Sequence, residues 1–166
     1  AAAFQAGAVA CVCERAVDGR HVLVGNVAMA LAAFARSVRS EFAGPVIGVT
    51  GSTGKTSTKE FVAAALSPCG PVLRSSGNRN TEYTSPLVWS ELKPEHWAVV
   101  VEMGMRGFGQ IAHLASFSRP TIGIVTNIGT SHVEKVGSRE GIARAKSEML
   151  VTLPPDGKAV LWQEDD

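Results

Sequence analysis

Cysteine is scarce in this sequence: Cys11, Cys13 and Cys69 are the only three in 166 residues. An odd, sparse set lacking C-x-x-C spacing and further ligands excludes a zinc site. The expectation is small buried hydrophobes in a reducing compartment, with Cys11 and Cys13 on one face of a strand. Charge of one sign is also missing. Sixteen Lys and Arg against fifteen Asp and Glu leave a formal charge of +1, and aromatics make up 6%. A nucleic-acid-binding role therefore has little support. The longest apolar run, Val27 to Ala35, is nine residues, whereas a spanning helix needs about twenty. The first residues, Ala1-Ala2-Ala3-Phe4-Gln5, carry no basic segment of the signal-peptide kind. The expectation is a piece of a longer cytoplasmic chain, with no membrane partner and a monomeric state.

What is present is enough for a folded domain. The composition is 45% hydrophobic and 19% charged, which excludes a disordered chain and suits one core. Apolar runs at Ala8–Cys13 and His21–Val24 precede a helix capped by Asn26 and running to Arg39, with Val27, Leu31, Phe34 and Val38 as its expected buried stripe. Strands are expected at Val46–Val49, Val72–Leu73, Trp97–Val101, Thr121–Thr126 and Lys158–Trp162. Helices are expected at about Thr56–Leu66, Gly109–Phe117 and, capped by Ser138, up to about Leu150. Strands alternating with helices predict an α/β fold: a parallel sheet with helices on both faces and ligands beyond the carboxyl ends of the strands.

Thr50-Gly51-Ser52-Thr53-Gly54-Lys55-Thr56 falls directly between a strand and a helix. Its glycines let the backbone curl so that successive N–H groups point at phosphate oxygens, and the helix adds its positive end. Lys55 supplies a mobile cation for the outer phosphates, and the Thr56 hydroxyl suits Mg²⁺. The strict phosphate-loop pattern wants glycine where Val49 stands, but Gly54-Lys55-Thr56 keeps its core in the right context.

Glu102 ends the run Val99-Val100-Val101-Glu102. It reads either as the carboxylate that a nucleotide-bound metal needs or as a strand-end charge facing water; beside a phosphate loop the first reading is preferred. Asn127, Ser131, His132 and Lys146 would gather at the same sheet edge. Lys146 taken alone reads as a solvated helix lysine, and Arg144 and Glu148 share that expectation. The loop Ser76–Pro86 is long and rich in amide and hydroxyl groups, which suits contact with a substrate. His21, His96 and His113 read as incidental.

Together these motifs resemble the Mur ligase family, the ATP-dependent amide-forming enzymes of peptidoglycan synthesis. Gly51–Thr56 is similar to the family's short phosphate loop. Gly77-Asn78-Arg79-Asn80, Glu102–Ile111, Asn127–His132 and Gly137–Glu148 resemble the member that adds D-alanyl-D-alanine to UDP-N-acetylmuramoyl-tripeptide. The resemblance implies ATP and Mg²⁺ as cofactors, with Gly51, Ser52, Thr53, Gly54, Lys55, Thr56 and Asn127 on the nucleotide. It implies Thr56 and Glu102 on one Mg²⁺ and His132 on a second. Lys146 would match a lysine that is carbamylated into an anionic metal ligand, and Asn78, Asn80 and Thr84 would contact the peptide substrate. Lys55, His132 and Lys146 would serve catalysis.

The implied chemistry is phosphorylation of a carboxylate to an acyl phosphate, followed by attack of an amine. Residues 1–24 are expected to be the tail of a nucleotide-sugar-binding domain and 25–166 an incomplete central ATP-binding domain, with a C-terminal domain outside the sequence. On that expectation the fragment alone is inactive. Two other readings stay open: a sister ligase of the UDP-MurNAc-dipeptide or folylpolyglutamate type, and a nucleotide-binding switch that forms no bond.

Overall fold

Residues 2–131 and 133–163 are described by the structure, a computed structural model. The N-terminal segment holds a single helical turn, α1 (Ala2–Gln5), and two short strands, β1 (Cys11–Cys13) and β2 (His21–Leu23), which pair in parallel as a sheet of their own. Then follow α2 (Val27–Glu41), β3 (Val46–Thr50), α3 (Lys55–Leu66), β4 (Val72–Arg74), the short α4 (Ser85–Val88) and β5 (Ala98–Glu102). The chain continues through α5 (Gln110–Ser118), β6 (Ile122–Val125), the one-turn α6 (Val133–Val136), α7 (Arg139–Val151) and β7 (Lys158–Leu161). The five larger-sheet strands lie in the order β4-β5-β3-β6-β7, and every pairing is parallel.

All of β3 and β5 is buried, as the continuous apolar runs require of central parallel strands. Alternation divides their side chains between two cores. Val46, Val99, Val101 and Val125 pack with Ala32 and Ala35 of α2, Ile111, Leu114 and Phe117 of α5, and Ile142, Ala145 and Met149 of α7. Ile47, Val49, Ala98 and Val100 pack with Val62, Ala63 and Leu66 of α3 on the other face. Each fully buried valine or isoleucine contributes roughly 1.5–3 kcal/mol. The expected α/β sheet with helices on both faces is therefore present, with boundaries shifted by a residue or so.

Both expected helix caps form. Asn26 Oδ1 accepts from the Met29 amide at 2.8 Å, and Ser138 Oγ accepts from the Gly141 amide at 3.1 Å. Three expectations need correction. The face of α2 that is buried centres on Ala32 and Ala35, while Phe34 is 42% exposed; small side chains let α2 lie close against α5. Cys11 and Cys13 are only partly buried and Cys69 is exposed, because a two-stranded sheet has no second layer and Cys69 closes the turn after α3. Helix α3 begins at Lys55 rather than Thr56. Among the described residues no helix is long and apolar enough to cross a membrane.

Candidate active site

The carboxyl ends of β3, β5 and β6 converge on the turn that follows β3. Gly51 has φ +154°, and a Cβ there would lie 1.7 Å from Thr126 Oγ1. Only glycine lets the turn pass that close to the end of β6. Thr126 Oγ1 itself donates to Thr53 O at 2.6 Å. Gly54, at φ +76°, has open space where a Cβ would stand. Its left-handed backbone turns the chain into α3.

The loop is held from outside by the β6 exit. The Asn127 amide accepts from Thr53 N at 3.0 Å and donates to Thr53 Oγ1 at 2.7 Å, while Ser52 N donates to Asn127 O at 3.1 Å. Ser52 Oγ accepts from Gly129 N at 2.9 Å. Lys55 curls back so that its ammonium donates to Gly51 O at 2.9 Å and Ser52 O at 3.3 Å. The Asn127 side chain is thus committed to shaping the loop.

Glu102 is 1% exposed, which removes the reading of a charge facing water. Even side chains of β5 point to the α3 side, and the Glu102 carboxylate meets two donors there. Thr56 Oγ1 donates to Oε2 at 2.8 Å and Asn80 Nδ2 to Oε1 at 2.7 Å. Its backbone is pinned as well, the Glu102 amide donating to Ser75 Oγ at 3.1 Å. A hydroxyl and a carboxylate beside a phosphate loop form an all-oxygen donor set. Mg²⁺ is held in this way, by one or two protein oxygens with phosphates and water supplying the rest. The residues present therefore fit that ion.

Lys146 is 3% exposed, so the solvated-lysine reading also fails. Burial first and the nearby Lys55 second draw its pKa down to about 8. Gly51, Ser52, Lys55, Asn80, Gly104 and Lys146 border one cavity of about 480 Å³. Thr81, Glu82, Tyr83, Met105, Arg106 and Gln110 complete its wall; they come from the Ser76–Pro86 loop and the Glu102–Ile111 stretch, within which the sequence did not single them out. Gln110 holds the Arg106 turn, its Oε1 accepting from the Arg106 amide. Asn78 and Thr84 do not border this cavity. Asn78 is exposed, and Thr84 Oγ1 bonds within its own turn to Thr81. His132 lies outside the described residues.

Glu148 departs from the solvated expectation too. Its two carboxylate oxygens accept from Gly109 N at 2.7 Å and Ala112 N at 3.0 Å, capping a helix whose own N-cap residue is a glycine. Arg144 is exposed as expected, stacked over Phe108.

Known proteins resemble this chain in sequence and in fold. The Mur ligase middle domain matches residues 49–166. The UDP-N-acetylmuramoyl-tripeptide–D-alanyl-D-alanine ligase of Synechocystis sp. is 46% identical over 168 residues, covering 98% of this chain and 37% of that protein. The crystal structure of MurF from Acinetobacter baumannii superposes with a TM-score of 0.87 at 36% identity, over 94% of this chain and 35% of that one. The MurF ligase of Thermotoga maritima, solved in complex with ADP, gives a TM-score of 0.87 at 37% identity, over 98% and 39%. The chain thus spans about a third of the length of the relatives it matches. With this match over most of its length, the chain belongs to the Mur ligase family, whose middle domain it carries.

Proposed function

We propose that the protein from which this chain comes joins D-alanyl-D-alanine to UDP-N-acetylmuramoyl-tripeptide at the expense of ATP, in cytoplasmic peptidoglycan precursor synthesis. The observation that carries the proposal is the meeting of Thr56, Glu102 and Asn80 at the mouth of the phosphate loop. Its relatives named for that ligation, and an ADP complex of one of them, support the choice of reaction.

In this proposal the backbone N–H groups of Gly51–Thr56 and the start of α3 hold the phosphates of ATP. Lys55 swings from Gly51 O and Ser52 O to the outer phosphates, where it offsets charge on the transferred phosphoryl group. Thr56 and Glu102 hold Mg²⁺, which when bound neutralises phosphate charge during transfer; the resemblance assigns a second site to His132. The cavity lined by Asn80, Glu82, Tyr83 and Arg106 receives the peptide end of the nucleotide-sugar substrate, with Asn78 and Thr84 contacting it further out. The substrate carboxylate attacks the γ-phosphorus, ADP leaves, and the amine of D-alanyl-D-alanine then displaces phosphate from the acyl carbon.

Lys146 takes the role of a lysine modified by CO₂. A pKa near 8 leaves more neutral amine near pH 7 than a solvated lysine has, and the neutral amine is the form that adds CO₂ with loss of a proton. The product carries a negative charge beside Lys55, which reverses the present repulsion.

Residues 1–24 belong, on this reading, to a preceding nucleotide-sugar-binding domain, consistent with the separate β1–β2 sheet. The central domain then begins near residue 25, since Ala32 and Ala35 already join its core. The full-length protein, acting as a monomer, should release phosphate from ATP only when tripeptide and D-alanyl-D-alanine are both supplied. Turnover with a single amino acid would favour a sister ligase, and slow hydrolysis without either substrate would favour a nucleotide switch.

A further inference from the structure

Helix α3 carries a second lysine on its sheet-facing side, one turn beyond Lys55 and Thr56. Lys59 is fully buried, at 0% exposure. Its ammonium has three protons and three oxygen partners: Ser75 O at 2.6 Å, Gly77 O at 3.2 Å and Glu60 Oε1 at 3.1 Å. Burying an ammonium is expensive, and an apolar side chain of similar volume commonly serves stability as well or better. What the ammonium adds is direction, because it fixes two carbonyls of the segment leaving β4 against the phosphate-loop helix.

That segment supports the metal carboxylate. Ser75 is 0% exposed and bound on both sides, its amide donating to Val100 O at 3.0 Å and its hydroxyl accepting from the Glu102 amide at 3.1 Å. Beyond Gly77 the same segment delivers Asn80, whose side chain donates to Glu102 Oε1 and whose carbonyl accepts from the Gly104 amide at 3.0 Å. Lys59 thus stands where α3, the β4 exit and the end of β5 are tied together. Thr56 leaves α3 toward Glu102 only three residues earlier in the helix.

We infer that Lys59 is a positioning residue that sets Glu102 and the Asn78–Thr84 loop relative to Thr56, and so tunes metal and peptide-substrate binding without touching either ligand. The inference rests on the ligase reading for its substrate, but its metal half is independent of that reading.

The test uses the full-length protein and its Lys59→Met variant, which keeps the stem and removes the donor. Mn²⁺ is titrated by electron paramagnetic resonance into the ADP-bound protein. ADP binding is measured separately without metal, and KM for UDP-N-acetylmuramoyl-tripeptide is measured in the ligation assay. The expected result is Mn²⁺ affinity roughly ten- to a hundredfold weaker and a raised KM for the tripeptide, with metal-free ADP binding unchanged. If the methionine variant does not fold, Ser75→Ala cuts the same link one step closer to Glu102 and should weaken Mn²⁺ binding in the same direction. Unchanged Mn²⁺ affinity, or an equal loss of metal-free ADP binding, overturns the inference. A wild-type protein that fails to ligate while its Mn²⁺ affinity still depends on Lys59 would remove the ligase reading alone.

Discussion

The Thr56 hydroxyl donates to Glu102 Oε2 at 2.8 Å, across a sequence separation of 46 residues. One residue lies in the first turn of the phosphate-loop helix and the other closes the neighbouring strand. Glu102→Gln keeps the shape and removes the charge. The expected outcome in the full-length protein is a fall in kcat of roughly a hundredfold, with a higher Mg²⁺ requirement, read from phosphate release across a magnesium titration.

Lys55 rests on Gly51 O and Ser52 O, and in the proposed function it swings from there to the outer phosphates. Lys55→Ala is expected to abolish ligation, by roughly a thousandfold or more. Survival near the wild-type rate contradicts the role given to it.

The two loop glycines should differ. At Gly54 an added methyl meets nothing, so Gly54→Ala costs only its left-handed backbone, roughly 1–2 kcal/mol. At Gly51 the methyl collides with Thr126 Oγ1 and breaks the bond from Thr126 to Thr53 O. Gly51→Ala should therefore lose more stability than Gly54→Ala in denaturant melts, and more ADP affinity in titration.

Lys146 has its pKa lowered to about 8 by burial and by Lys55, against an ordinary value of about 10.4. Between those values the unfolded chain binds more protons than the folded one, so the lysine's destabilising effect is full below pH 8 and fades as pH rises toward 10.4. In CO₂-free buffer Lys146→Met should melt higher than wild type at pH 7, and the gap should close by about pH 10. A constant gap across that range counts against the assignment.

Glu148 caps α5 through Gly109 N and Ala112 N. Glu148→Ala should cost roughly 1–2 kcal/mol. That corresponds to a drop in Tm of about 2–8 °C for a chain of this size, with little change in nucleotide binding.

The phosphate loop and Glu102 were legible in the sequence because both lie where a buried run ends, and a parallel sheet gathers such ends. Lys59 and Glu148 were not legible for a shared reason. Their partners are mainly backbone carbonyls and amides, which every residue carries, so no side-chain pattern marks the other end of the bond. Within the Ser76–Pro86 loop the sequence shows which residue types are present, but an irregular backbone has no period. Glu82 and Tyr83 thus face the cavity while Asn78 and Thr84 lie away from it. In α2 the pattern favours bulky Phe34, whereas close approach to α5 selects the alanines.

Strand β5 sits between β3 and β4 although the ribosome makes it after both. A nascent chain that has not yet released residues 98–102 possesses the glycine turn and Lys55, yet neither older strand has its lateral neighbour and the carboxylate opposite Thr56 does not exist. The pairing of Thr56 with Glu102 therefore waits on the insertion of one five-residue segment between two strands that precede it in the sequence.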